Sequence, residues 1–141
     1  MTAPRLSERG SAIVEFHFLG LLLLVPIVYI LLAVLDVQRA SYGVTQAARE
    51  AGRIFVATGD EAAARLAARV ALTDQGMDAG DADIAIRCSF TPCHQPGVEV
   101  TVTVGSTVRL PFIPKVLAGA VNAQIPVDAT HASVIDRFRA L

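Results

Sequence analysis

Lysine occurs once in this chain, at Lys115, and twelve basic residues stand against thirteen acidic ones, for a formal net charge of −1 over 141 residues. A chain this close to neutral projects no field of one sign, which argues against a nucleic-acid partner. Cysteine is nearly as scarce, with only Cys88 and Cys93 present. A glycine-rich phosphate loop is missing, as are paired carboxylates on a plausible common face and any spacing that unites a nucleophile, a base and an orienting group. The expectation is therefore a protein that is not an enzyme and takes no cofactor, metal or small-molecule substrate. The most informative absence is local: from Phe18 to Leu35 there is no charged residue at all.

Those 18 residues are apolar, which is about the minimum for crossing a bilayer, and extending the run back to Ser11 brings it to about 25. The run exceeds the roughly 7–15 residues of a removable secretory signal, and no Ala-x-Ala cleavage site follows it. A span that stays in the mature protein is expected. Glu15 then lies in or at the edge of hydrocarbon, where an ionised side chain costs at least about 2.5 kcal/mol unless compensated. If the chain were cut after Gly10, Ser11 would carry a free ammonium one helical turn from Glu15, available to it or to a neighbouring subunit. The alternative is an ordinary signal anchor whose Glu15 snorkels to the headgroups. Arg5 and Arg9 favour a cytoplasmic N-terminus, although Arg39, Arg49 and Arg53 near the other end weaken that asymmetry.

The basic leader ending in Gly10, with Glu15 five residues later, resembles the class III signal of type IV prepilins. Within that superfamily, Gly10-Ser11-Ala12-Ile13-Val14-Glu15-Phe16, Pro26 in the span, and Gln46-Ala47-Ala48-Arg49-Glu50-Ala51-Gly52-Arg53 beyond it resemble the TadE-like minor pilins of tight-adherence (Tad, or Flp) pili. Ser11 replaces the phenylalanine common in the wider class, and His17 stands where an apolar residue is usual. The resemblance implies a pilin-like α+β fold and cleavage between Gly10 and Ser11 by a prepilin peptidase. It further implies charge pairing of Glu15 with the new Ser11 amine during assembly. The implied partners are membrane lipid, other minor pilins and the major pilin of the Tad system, and an inner-membrane assembly platform. The implied location is a single-pass cell-membrane protein with an extracytoplasmic C-terminal domain, incorporated in the pilus. An uncleaved, single-pass anchored binding domain is the competing expectation, and it leaves the Gly10 to Glu15 spacing unexplained. Loss of the leader removes Arg5, Glu8 and Arg9 and leaves ten basic against twelve acidic residues.

The expected organisation is a leader over 1–10, a transmembrane helix over 11–36, its amphipathic continuation over 37–57 and an α+β domain over 58–141. Val37, Ala40, Val44, Ala47, Ala51 and Ile54 or Phe55 recur at helical spacing opposite Arg39, Gln46, Arg49, Glu50 and Arg53. Pro26 removes the hydrogen bond to the Leu22 carbonyl, so a kink or loosened turn is expected there. Gly59 ends the long helix, and Thr58 and Glu61 have capping-box spacing for a second one over about 60–75. In that helix Leu66 and Val70 share one face, while Arg65 and Arg69 form a solvated one.

From Ile84 the period becomes two: Ile84, Ile86, Cys88 and Phe90, then Val98, Val100, Val102 and Val104, continuing through Val108 and Leu110. Residues 91–97, with two prolines and a glycine, read as a hairpin connection. Residues 115–120 suggest a helical turn, and 124–135 a last strand. The helix must cover the apolar face of this antiparallel sheet, because the domain is too small to spare it. Cys88 and Cys93 flank the connection, which in an exported domain favours a disulfide worth about 2 kcal/mol. A zinc set of Cys88, Cys93, His94 and His131 is disfavoured, since only the cysteines have suitable spacing.

Overall fold

The computed structural model describes residues 8–110 and 124–138, with side chains from Ile13 onward. It is an α+β chain: helix α1 (Glu8–Thr58), helix α2 (Glu61–Asp74), then strands β1 (Asp83–Cys88), β2 (Glu99–Arg109) and β3 (Gln124–Val134). Two compact units divide it, Met1–Leu35 and Asp36–Leu141.

In the first unit the described structure is α1 alone, uninterrupted through Pro26. Its seventeen large apolar side chains from Ile13 to Leu35 are all exposed. Full burial of each such side chain is worth about 1.5–3 kcal/mol, so the unit demands apolar surroundings. It is long and apolar enough to cross a membrane. The described helix already includes Glu8, Arg9 and Gly10, so secondary structure runs across the expected end of the leader.

In the second unit α1 buries a stripe of small residues, Ala40, Gly43, Val44, Ala47, Ala48, Ala51 and Gly52, ending in Phe55. Small side chains let a helix axis come close to a sheet. A methyl group on Gly52 would sit 3.2 Å from His131 Cδ2 and 3.8 Å from Val102 Cγ2. The core thus joins α1 to Ile84 of β1, Val100, Val102 and Val104 of β2, and Val127 of β3.

The corner after α1 is made by Gly59, whose φ of 73° suits glycine and whose N–H reaches the Phe55 carbonyl at 2.8 Å. The cap of α2 is Asp60 rather than the expected box. Its Oδ1 accepts from the N–H groups of Ala62 and Ala63 at 2.8 and 3.2 Å. Thr58 Oγ1 instead donates to the Ile54 carbonyl and accepts from the Asp60 N–H, and the Glu61 carboxylate is taken by Arg65. The buried face of α2 is Ala64, Ala68 and Leu72. Leu66 and Val70 point the other way, 64% and 51% exposed. At its C-terminus Gly76 bonds back to Thr73 and Met77 to Leu72, the Schellman pattern that calls for the positive φ of Gly76.

The sheet is antiparallel in the order β1-β2-β3. Cys88 pairs with Val100, Ile86 with Val102 and Ile84 with Val104, and on the other side Val102 pairs with His131 and Val104 with Ala129. Gly97, at φ 84°, donates to the Ile135 carbonyl, while the Ile135 N–H donates to Val98. This is a G1 bulge, with two residues facing one. β1 stops at Cys88, and Phe90, expected within the strand, lies exposed in the connection. Past Cys88 one more main-chain bond forms, from the Ser89 N–H to the Glu99 carbonyl at 2.9 Å, and the Cys88–Cys93 bridge then closes the connection. The expected turn over 115–120 lies outside the described residues.

Candidate functional site

Glycine has low helical preference, yet the apolar run beyond Gly10 carries the helix back across it, so Gly10, Ser11 and Glu15 occupy consecutive turns of α1. Ser11 and Glu15 stand four residues apart, the spacing that brings two groups onto one helix face. Glu15 is exposed. The ion pairs among the described residues are Glu50–Arg53, Glu61–Arg65 and Asp81–Arg109, and none of them engages Glu15. Two residues further, the His17 ring places Nδ1 2.8 Å from the Ile13 carbonyl. In the Nδ1–H tautomer it donates there, which satisfies half of a polar ring on an otherwise apolar surface. Pro26 lies about three turns beyond Glu15 on the same helix.

In the second unit Cys88 and Cys93 stand as a disulfide, S–S 2.24 Å and Cα–Cα 5.4 Å. The bridge closes the connection between β1 and β2 and delivers the next residue, His94, to the C-terminal end of α1. Its Nε2 lies 3.2 Å from the Val56 carbonyl and its ring meets Phe55 edge-on at a centroid distance of 6.5 Å. A methyl on Gly59 would collide with that ring, so Gly59 serves both the turn and the docking of His94. His131 lies instead on β3 against Gly52. The four residues weighed for zinc are thus divided, with both sulfurs bonded to each other. Among the described residues there is no group of three or more potential metal ligands.

Two features of the domain were not legible beforehand. Arg65, expected on a solvated face, donates through Nη1 to the Ile84 carbonyl while its other nitrogens hold Glu61 at 2.6 and 2.9 Å. It ties α2 to the outer flank of β1. A long-range main-chain acceptor has no sequence signal. On α1, Arg53 grips Glu50 with two hydrogen bonds of 3.1 and 2.5 Å. Hydrogen bonding from Arg53 holds the Glu50 carboxyl below its ordinary range, and the same bond raises the Arg53 guanidinium. Beside this pair, Arg49, Arg53, Val56 and Ala57 of α1 and His131 and Ser133 of β3 line a shallow, mainly apolar hollow. The arrangement offers surfaces and positioned charges.

No family model, no curated protein and no solved structure matches the chain.

Proposed function

We propose that this chain is a TadE-like minor pilin or pseudopilin, a structural component in the assembly of Tad-type pili, anchored in the cell membrane by α1 with its α+β domain outside. The observation that carries the reading is the placement of Gly10, Ser11 and Glu15 at the head of a helix whose apolar stretch from Ile13 to Leu35 has no buried residue. Hydrolysis of the bond after Gly10 adds one water, leaves a carboxylate on Gly10 and releases an ammonium on Ser11. That charge appears four residues from Glu15, within the apolar stretch where an unpaired acid is most costly. Pairing within the chain, or with the same acid of an adjoining subunit, gives each carboxylate a partner that the unprocessed chain lacks.

Because α1 extends to Glu8, the peptidase must unwind the first turn to reach an extended backbone. Glycine at that position weakens the helix by about 0.5–1 kcal/mol relative to alanine and leaves room at the cut. The test is the mature N-terminus of the full chain, read by intact mass in a host with its prepilin peptidase and in one lacking it. A chain beginning at Ser11 only in the first host supports the proposal. An unprocessed N-terminus in both hosts overturns it in favour of an uncleaved, single-pass binding domain.

A further inference from the structure

The two flanks of the sheet are unlike. Residues along an antiparallel strand point their main-chain groups alternately to either side. Ile135 bonds to β2 through both its N–H and its C=O, so alternation directs Ser133, His131 and Ala129 to β2 as well. Val134, Ala132, Thr130 and Asp128 then direct theirs to the open side. The other side of β2 agrees with this phase, since the Ser89 N–H reaches the Glu99 carbonyl at 2.9 Å. On the flank of β1, the outward carbonyl of Ile84 is occupied by Arg65. On the flank of β3, nothing among the described residues pairs with the main chain.

β3 is eleven residues long and carries neither lysine nor arginine, the usual guards of an open edge. Its single proline, Pro126, falls in the outward phase near the start of the strand, where it costs the ladder nothing and blunts only that end of the edge. Just inside this edge is the hollow lined by Arg49, Arg53, Val56, Ala57, His131 and Ser133. A strand laid beside β3 would drop alternate side chains towards it. Arg49 enters no ion pair among the described residues, and Arg53 remains largely solvent-facing despite its pair with Glu50.

We infer that the open edge of β3 accepts an extended segment of a partner protein by strand addition, with a carboxylate-bearing side chain of that segment seated at Arg49 and Arg53. Main-chain hydrogen bonds from Asp128, Thr130, Ala132 and Val134 supply affinity, and the guanidinium groups of Arg49 and Arg53 supply selectivity. Nothing in this arrangement depends on processing after Gly10.

The experiment uses the full chain in detergent micelles and two blocked synthetic peptides of about eight residues, a typical strand length. Both alternate valine and threonine; one bears a glutamate on the valine side, the other an arginine. Amide hydrogen exchange and titration calorimetry are the readouts. The glutamate peptide is expected to slow exchange at Thr130, Ala132 and Val134, and Ala132→Pro is expected to abolish its binding while preserving the β2–β3 ladder. Should that variant fail to fold, Arg49→Glu with Arg53→Glu serves instead, inverting the preference between peptides by about fivefold for each pair reversed. Outward amides already slow in the free chain, no binding of either peptide, or a preference unchanged by charge reversal would each overturn the inference.

Discussion

Gly52 is the point of closest approach between α1 and the sheet, and its replacement tests the packing directly. A Cβ there would lie 3.2 Å from His131 Cδ2, 3.4 Å from Ser133 Oγ and 3.8 Å from Val102 Cγ2. For Gly52→Ala two effects oppose. The helix gains about 0.5–1 kcal/mol from removing an interior glycine, while the His131 ring must give way by a few tenths of an ångström. The expected net change is under about 1 kcal/mol. Gly52→Val adds two further methyl groups to the same contact, where overpacking costs about 1–3 kcal/mol, and a β-branched side chain gains less helical propensity than alanine. At about 4 °C per kcal/mol for a domain near 100 residues, Gly52→Val should melt about 4–12 °C below the parent protein and Gly52→Ala within about 4 °C of it. Thermal unfolding of the full chain in micelles, followed by far-ultraviolet circular dichroism, measures both. Equal melting of Gly52→Val and the parent would refute the close approach and, with it, the reason for the small-residue stripe.

Glu15→Val should keep membrane insertion, since it removes only a polar cost, yet abolish incorporation into pili; normal piliation would refute the pairing role. Glu50 has its carboxyl held below the ordinary range, so the stability it contributes is present at neutral pH and is lost as pH falls through that lowered value. The urea midpoint of Glu50→Gln should therefore fall slightly short of the parent's at pH 7 and converge with it in acid, and a gap unchanged in acid would refute this. Non-reducing peptide mapping should recover Cys88 linked to Cys93, and Cys88→Ser should loosen His94 from the end of α1, read as faster amide exchange across the connection; unchanged exchange would show that the bridge does not hold the ring.

Patterns that repeat over many residues translate well from sequence to structure. The valines at 98, 100, 102 and 104 all face inward, and the helical stripe from Ala40 to Phe55 is buried, because each position is reinforced by its neighbours two or three and four residues away. Single-residue competitions translate less well. Thr58, Asp60 and Glu61 can all serve a helix start, and Asp60 wins because its side chain reaches two free N–H groups while Arg65 occupies Glu61. Leu66 and Val70 outrank Ala64 and Ala68 in hydrophobicity, yet the alanines face inward, on the same face as the buried Leu72. The Gly10 to Glu15 spacing was visible in the sequence, and its meaning as a cleavage and pairing signal belongs to the proposal. The open flank of β3 was not, because strand order is a property of the whole sheet.

The guanidinium of Arg65 on Ile84 has a combinatorial effect. A sheet receptive on both sides can be extended without end, each newcomer exposing a fresh margin. Arg65 takes one outward acceptor of β1 and makes that margin the less receptive of the two, so strand contacts made through β3 favour discrete pairs over unlimited growth.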